Sequence, residues 1–190
     1  MRQALISAAL AVTALAGCAG DPERFAVPTT VTPTAAQRIG IAYRSVEVLE
    51  VSLPAYAALD EISVRGEGGA LTALSDTLWA DAPSRSVTLE LSRHLAQLTG
   101  ARVAPEPWPF YDRAGARVDV RVEEMVAQGA SSFTMTGQWF VAPELGGRDR
   151  SGLFTLSAPI APESGTNGIA AARAQVVLDL AAEIARKGLR

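Results

Sequence analysis

The chain of 190 residues has one cysteine, one histidine and one lysine, and each scarcity excludes a chemistry. One cysteine cannot form an intrachain disulfide or build a cysteine-rich zinc site. His94 stands alone, so most metal and nucleophile–base schemes are removed, and a Ser-His-Asp device would have to use it. It falls beside Leu91, Leu95 and Leu98 at helical spacing, where a partly buried structural histidine is the simpler reading. Lys187 is followed by glycine rather than preceded by it, so there is no phosphate-binding P-loop. No serine lies in a G-x-S-x-G turn. Glu123 and Glu124 are expected to point to opposite faces of a strand, which does not suit a paired-carboxylate hydrolase. A net charge of −3 supplies no basic footprint for nucleic acid. No catalytic residue, metal or cofactor is expected.

What is present begins at the N-terminus. Arg2 precedes an apolar run over residues 4–16, interrupted only by Ser7 and Thr13. The run has the length of a signal-peptide core and is too short to span a bilayer, which needs roughly 20 apolar residues. It ends in Leu15-Ala16-Gly17-Cys18, the pattern of a bacterial lipobox, in which small residues enter the peptidase groove and the thiol receives diacylglycerol. Residues 1–17 are therefore expected to be removed, leaving 173 residues with 16 cationic and 20 acidic side chains. A single acyl chain holds a protein to a membrane only marginally. A lipoprotein typically carries three, which give a stable anchor. Ala19 and Gly20, in place of an aspartate that would retain it at the inner membrane, point to the outer membrane, facing the periplasm.

Residues 18–37 read as the lipidated cysteine and a tether, with Pro22, Pro28 and Pro33 among threonines. Such composition favours extended chain without a core. Phe25 is the one aromatic residue in this stretch, and two readings stay open: a contact with the domain or a neighbour, or a stray apolar side chain.

Residues 38–190 read as one periplasmic α/β domain. A strand buried on both sides is expected within residues 39–52, then a hairpin whose tip is Arg65-Gly66-Glu67-Gly68-Gly69. Asp81, Pro83 and Ser84 signal a helix over residues 85–99, with Val87, Leu91, Leu95 and Leu98 on one face and Gly100 as its stop. A short strand at 102–104 precedes a proline-rich loop. Strands around residues 118–123, 133–141 and 153–156 alternate in polarity and suggest an antiparallel meander. Ser164 is expected to cap a last helix with Ile169, Val176, Leu180 and Ile184 on one face, ending near Gly188. The expected fold is a two-layer α/β sandwich, a mixed or largely antiparallel sheet with two amphipathic helices on one face.

Three aromatic residues are candidate partner contacts. Trp108 and Tyr111 lie in the segment Pro105-Glu106-Pro107-Trp108-Pro109-Phe110-Tyr111, whose prolines reduce the entropy lost on binding, and Trp and Tyr are common interface anchors. The alternative for Trp108 is a place in the domain's own core. Trp79, just before the first helix, reads more simply as a hydrophobic staple. Trp139 alternates with Met135 and Val141 and reads as core.

The lipobox, tether and domain together resemble the ABC-transport auxiliary lipoproteins of the PqiC type. The resemblance is carried by Val51-Ser52-Leu53-Pro54-Ala55-Tyr56, Glu61-Ile62-Ser63-Val64-Arg65, Leu78-Trp79-Ala80-Asp81 and Pro105-Glu106-Pro107-Trp108. It covers nearly the whole chain after residue 18. Arg24-Phe25-Ala26-Val27 departs from it, because members often show an aromatic pair with a nearby leucine there. The resemblance implies a non-enzymatic outer-membrane partner of a system that pairs a transporter with an MCE-domain protein and moves lipid. It also implies assembly as a ring of copies. The alternative function is a lipid-binding or assembly lipoprotein acting on lipopolysaccharide or an outer-membrane barrel.

Overall fold

The structure is a computed structural model, and it describes residues 21–29, 38–144 and 146–190. The signal sequence, the lipobox (Leu15, Ala16, Gly17, Cys18) and much of the tether lie outside the described residues.

The organising element is one long strand, β6 (Ala116–Gln128). Its buried residues Ala116, Val118, Val120 and Val122 alternate with Arg117, Asp119, Arg121 and Glu123, so one face turns to the core. β7 (Ser132–Pro143) and β8 (Arg150–Pro159) follow as antiparallel neighbours, which is the expected meander. The other edge of β6 is shared by two groups of strands. Its first residues pair in parallel with β2 (Ser45–Val48), which in turn pairs with β5 (Arg102–Pro105). Its last residues pair in parallel with β3 (Glu61–Arg65), which forms the expected hairpin with β4 (Leu71–Trp79). All eight strands form one mixed sheet.

β2 is buried at all four positions, as expected for a strand within residues 39–52, although Ser45 and Glu47 are polar and Glu47 is buried with Arg117 as its partner. A bulge interrupts β6 between Val122 and Glu124. Opposite it, a β-carbon at Gly137 would lie 2.2 Å from the Arg121 carbonyl oxygen, so the close approach of the strands needs glycine. The bulge breaks the strict alternation expected for Glu123 and Glu124. Each carboxylate has its own partner, Glu123 accepting from Gln138 at 2.9 Å and Glu124 pairing with Arg65 at 2.6 Å.

Helices α1 (Pro83–Thr99) and α2 (Gly165–Glu183) pack on each other and on the apolar face of the sheet, completing the sandwich. α1 starts two residues earlier than expected, with Pro83 in its first turn, where a missing N–H costs nothing. Asp81 bonds the Ala82 N–H at 2.9 Å and pairs with Arg85 instead of capping deeper into the helix. Gly100 ends α1 in the left-handed conformation, its N–H donating to the Ala96 carbonyl. Ser164 does precede α2, but its hydroxyl donates back to the Ala161 carbonyl rather than accepting from the helix. α2 is also less amphipathic than expected. Ala170, Ala172, Ala174 and Val177 are buried as well as Ile169, Val176 and Leu180, leaving only a narrow exposed stripe through Ala171 and Gln175.

One element falls in the stretch expected to be tether. β1 (Glu23–Phe25) adds in parallel to the edge of β4, with Glu23 opposite Thr77 and Phe25 opposite Trp79. Phe25 packs against the core, and its carbonyl accepts from the Ala80 N–H at 3.0 Å. Of the two readings for Phe25, docking on the domain is the one observed.

Candidate functional site

The candidate contact loop joins β5 to β6 over residues 106–115. Its base is tied to β2: the Glu106 N–H donates to the Val48 carbonyl at 2.8 Å, and the Gly115 N–H to the Ser45 carbonyl at 3.1 Å. The Glu106 carboxylate also accepts from the Glu50 N–H at 3.2 Å. Between these ties the chain folds on itself. The Trp108 indole N–H donates to the Asp112 carbonyl at 2.5 Å, and the Trp108 and Phe110 rings meet edge to face at 4.9 Å. The Arg102 guanidinium lies 4.6 Å from the Phe110 ring centre and 5.7 Å from that of Trp108, and it pairs with Asp112. Phe110 is 41% exposed and Tyr111 fully exposed.

Of the two candidate contacts in this loop, Tyr111 is therefore free to meet a partner. Trp108 is half-buried in the loop's own fold rather than in the domain core. Arg102, Phe110 and Asp112 were not singled out in the sequence, yet they complete the cluster. The signal available was an arginine one strand ahead of an aromatic segment, which is weak. Beneath the loop, Arg117 bonds Glu47 at 3.1 Å and Glu144 at 3.2 Å, lining a polar cleft of about 400 Å³ with Trp108. The Glu47 hydrogen bond, aided by Glu144, raises the Arg117 pKa above its ordinary value.

Trp79 goes elsewhere. It closes β4 with 4% exposure, and the Arg173 guanidinium sits 4.7 Å from its ring centre. Arg173 is fully buried in α2 and pairs with Glu90 of α1 at 3.0 Å, also donating to the Ser86 hydroxyl at 2.5 Å. Burial raises the Glu90 pKa despite the opposing pull of Arg173 and Arg93. Burial likewise lowers that of Arg173, against the pull of Glu90. This pair locks the two helices to the sheet edge (a structural device in the core). His94 is buried on the same helix, and its pKa is lowered by burial and by the nearby Arg93 cation. Among the described residues no three His, Cys, Asp or Glu side chains gather as a metal site, and no helix is long and apolar enough to cross a membrane.

The α/β sandwich thus buries the Arg173–Glu90 pair and displays aromatic rings on one tied loop. The chain belongs to the family of ABC-type transport auxiliary lipoprotein components, whose profile matches residues 26–185. These are membrane-anchored lipoproteins that accompany the other components of an ABC-type transport system. No curated protein matches the chain in sequence. Its fold is shared with solved structures, two of which are similar over most of the chain. One is an uncharacterized protein, 17% identical, with a TM-score of 0.67 over 86% of this chain and 97% of that one. The other is a Xanthomonas campestris protein of the DUF330 family, 18% identical, with a TM-score of 0.67 over 85% and 92%.

Proposed function

We propose that this chain is a non-catalytic docking subunit of an MCE/ABC-type lipid transport system. It is held at the periplasmic face of the outer membrane by acylated Cys18 and meets the MCE-domain protein through the loop at residues 106–113. The observation that carries the reading is the exposed cluster of Phe110 and Tyr111 beside Trp108 and Arg102. Exposed aromatics backed by an arginine on a pre-ordered loop are the composition of interface hot spots. The loop's internal bonds mean that little order is lost when a partner binds. Assembly as a homo-oligomer belongs to the same proposal, since a ring of copies would present several such loops to one partner.

The test is photocrosslinking in cells, with a photoreactive residue at Phe110 or Tyr111. The expected product is an adduct with an MCE-domain protein, found in the outer-membrane fraction and lost from it in Cys18→Ser. Absence of that adduct at both positions, with the protein present at its usual level, defeats the docking reading. An unchanged membrane fraction in Cys18→Ser defeats the anchor. The second reading, a lipid-binding or assembly lipoprotein, is favoured by one observation, an apolar groove at the opposite end of the domain.

A further inference from the structure

The groove of about 570 Å³ opens where β3 meets β4, β6 turns into β7 and β8 passes into α2. Val64, Leu74, Ile160 and Ile169 supply apolar walls, and Glu163 is the one charged residue lining it. Leu71, at the start of β4 on the same end, is 40% exposed. A cavity of this size and lining falls in the range of small-molecule sites.

The strand register says where the groove lies relative to the N-terminus. β1 runs parallel to β4 with Glu23 opposite Thr77, so the N-terminal end of β1 faces the Leu71 end of β4, which is the groove's end. Cys18 precedes Glu23 by five residues, a reach of at most about 18 Å. Leu74 lies three residues from Thr77 along β4, about 10 Å. The aromatic loop, by contrast, sits beside the first residues of β6, and that strand is 13 residues long, about 40 Å. The N-terminal end of β1 and the groove share one end of the domain, and the loop has the other.

The geometry points to an acyl-chain site: the groove takes one chain of a bilayer lipid at the membrane against which the anchor holds this end. The inference rests on the lipidated Cys18 proposed above. An apolar groove with a single acid among its lining residues suits a hydrocarbon chain whose headgroup stays outside, and it offers no cationic partner for a buried phosphate. The bilayer is the nearest supply of such chains, and tethering raises its effective concentration at the groove.

The test uses the full-length lipoprotein, in which acylation of Cys18 leaves an introduced cysteine as the one free thiol. Ala161→Cys at the groove and Asp112→Cys at the loop are each labelled with an environment-sensitive fluorophore. The proteins are then reconstituted into phosphatidylcholine vesicles with or without a mid-chain nitroxide. Loss of most of the emission at residue 161, little loss at 112, and relief of the quenching by Ala130→Trp at the groove are the expected results. Equal quenching at both positions in protein that floats with the vesicles overturns the inference. So does quenching at 161 that Ala130→Trp leaves unchanged, which would mean simple membrane contact. An unquenched, blue-shifted signal at 161 that Cys18→Ser abolishes would give the groove to the anchor's own chain and overturn it equally. Protein that does not float refutes the anchor itself, and this inference with it.

Discussion

Two clusters in this molecule use the same three parts, an arginine, an aromatic ring and a carboxylate, with opposite outcomes. Arg102, with Trp108 and Phe110, pairs with Asp112 at the surface, where the two charged side chains keep 44% and 61% of their exposure. Arg173, with Trp79, pairs with Glu90 in the core, where they keep 1% and 8%. In water an ion pair contributes little, because solvent competes with each partner. In the core the pair must offset its own desolvation, and removing one member strands the other. Burial alone separates the two: one cluster is shut in the core and the other stays at the surface.

The comparison breaks first at Arg173. Arg173→Ala leaves Glu90 buried without its cation and is expected to destabilise the fold by about 3–5 kcal/mol, read from chemical denaturation. Arg173→Met combined with Glu90→Leu should recover most of that loss, because no uncompensated charge remains. A smaller effect should appear with pH at His94, whose pKa is held below its ordinary value of 6.5 by burial and by Arg93. The unfolded chain takes up that proton first. The stability contributed by neutral His94 is therefore complete above pH 6.5 and is lost as the pH falls through the folded value. Denaturation measured across this range should show the loss in the native protein and a flatter curve in His94→Gln. The smallest effect belongs to the surface cluster, where Arg102→Ala should change stability by about 1 kcal/mol or less. Trp108→Ala should also cost little stability yet remove the crosslink at Tyr111, since the ring orders the loop that presents it.

Much of this architecture was legible in the chain. The meander, the glycine-tipped hairpin and α1 follow from period-two alternation, positive-φ turn residues and a four-residue apolar stripe, all local signals. The buried pair is not among the expectations from the chain, although a trace of it is there. Arg173 falls on the stripe Ile169, Val176, Leu180 and Ile184, and Glu90 lies between Val87 and His94 on the inner face of α1. A charge on an apolar stripe announces a partner without naming it, and the partner is on another element. β1 was hidden for the opposite reason: three residues between prolines carry no periodicity, and only the edge of β4 makes them a strand. The near-complete burial of α2 was equally non-local, because alanines do not declare which side they face. Of the candidate site, Trp108 and Tyr111 could be seen as a loop, whereas Arg102 and Asp112 join it only through folding.

The parallel seating of β1 on β4 has a mechanical consequence. On the proposed anchoring, any pull from the membrane enters the domain at the N-terminal end of β1 and runs along the strand axis. The bonds between the two strands are then loaded together in shear instead of being peeled one after another. With Phe25 packed inward beside Trp79, the three residues would then act as a strain relief, resisting tension on such an anchor at the sheet edge before it reached the core.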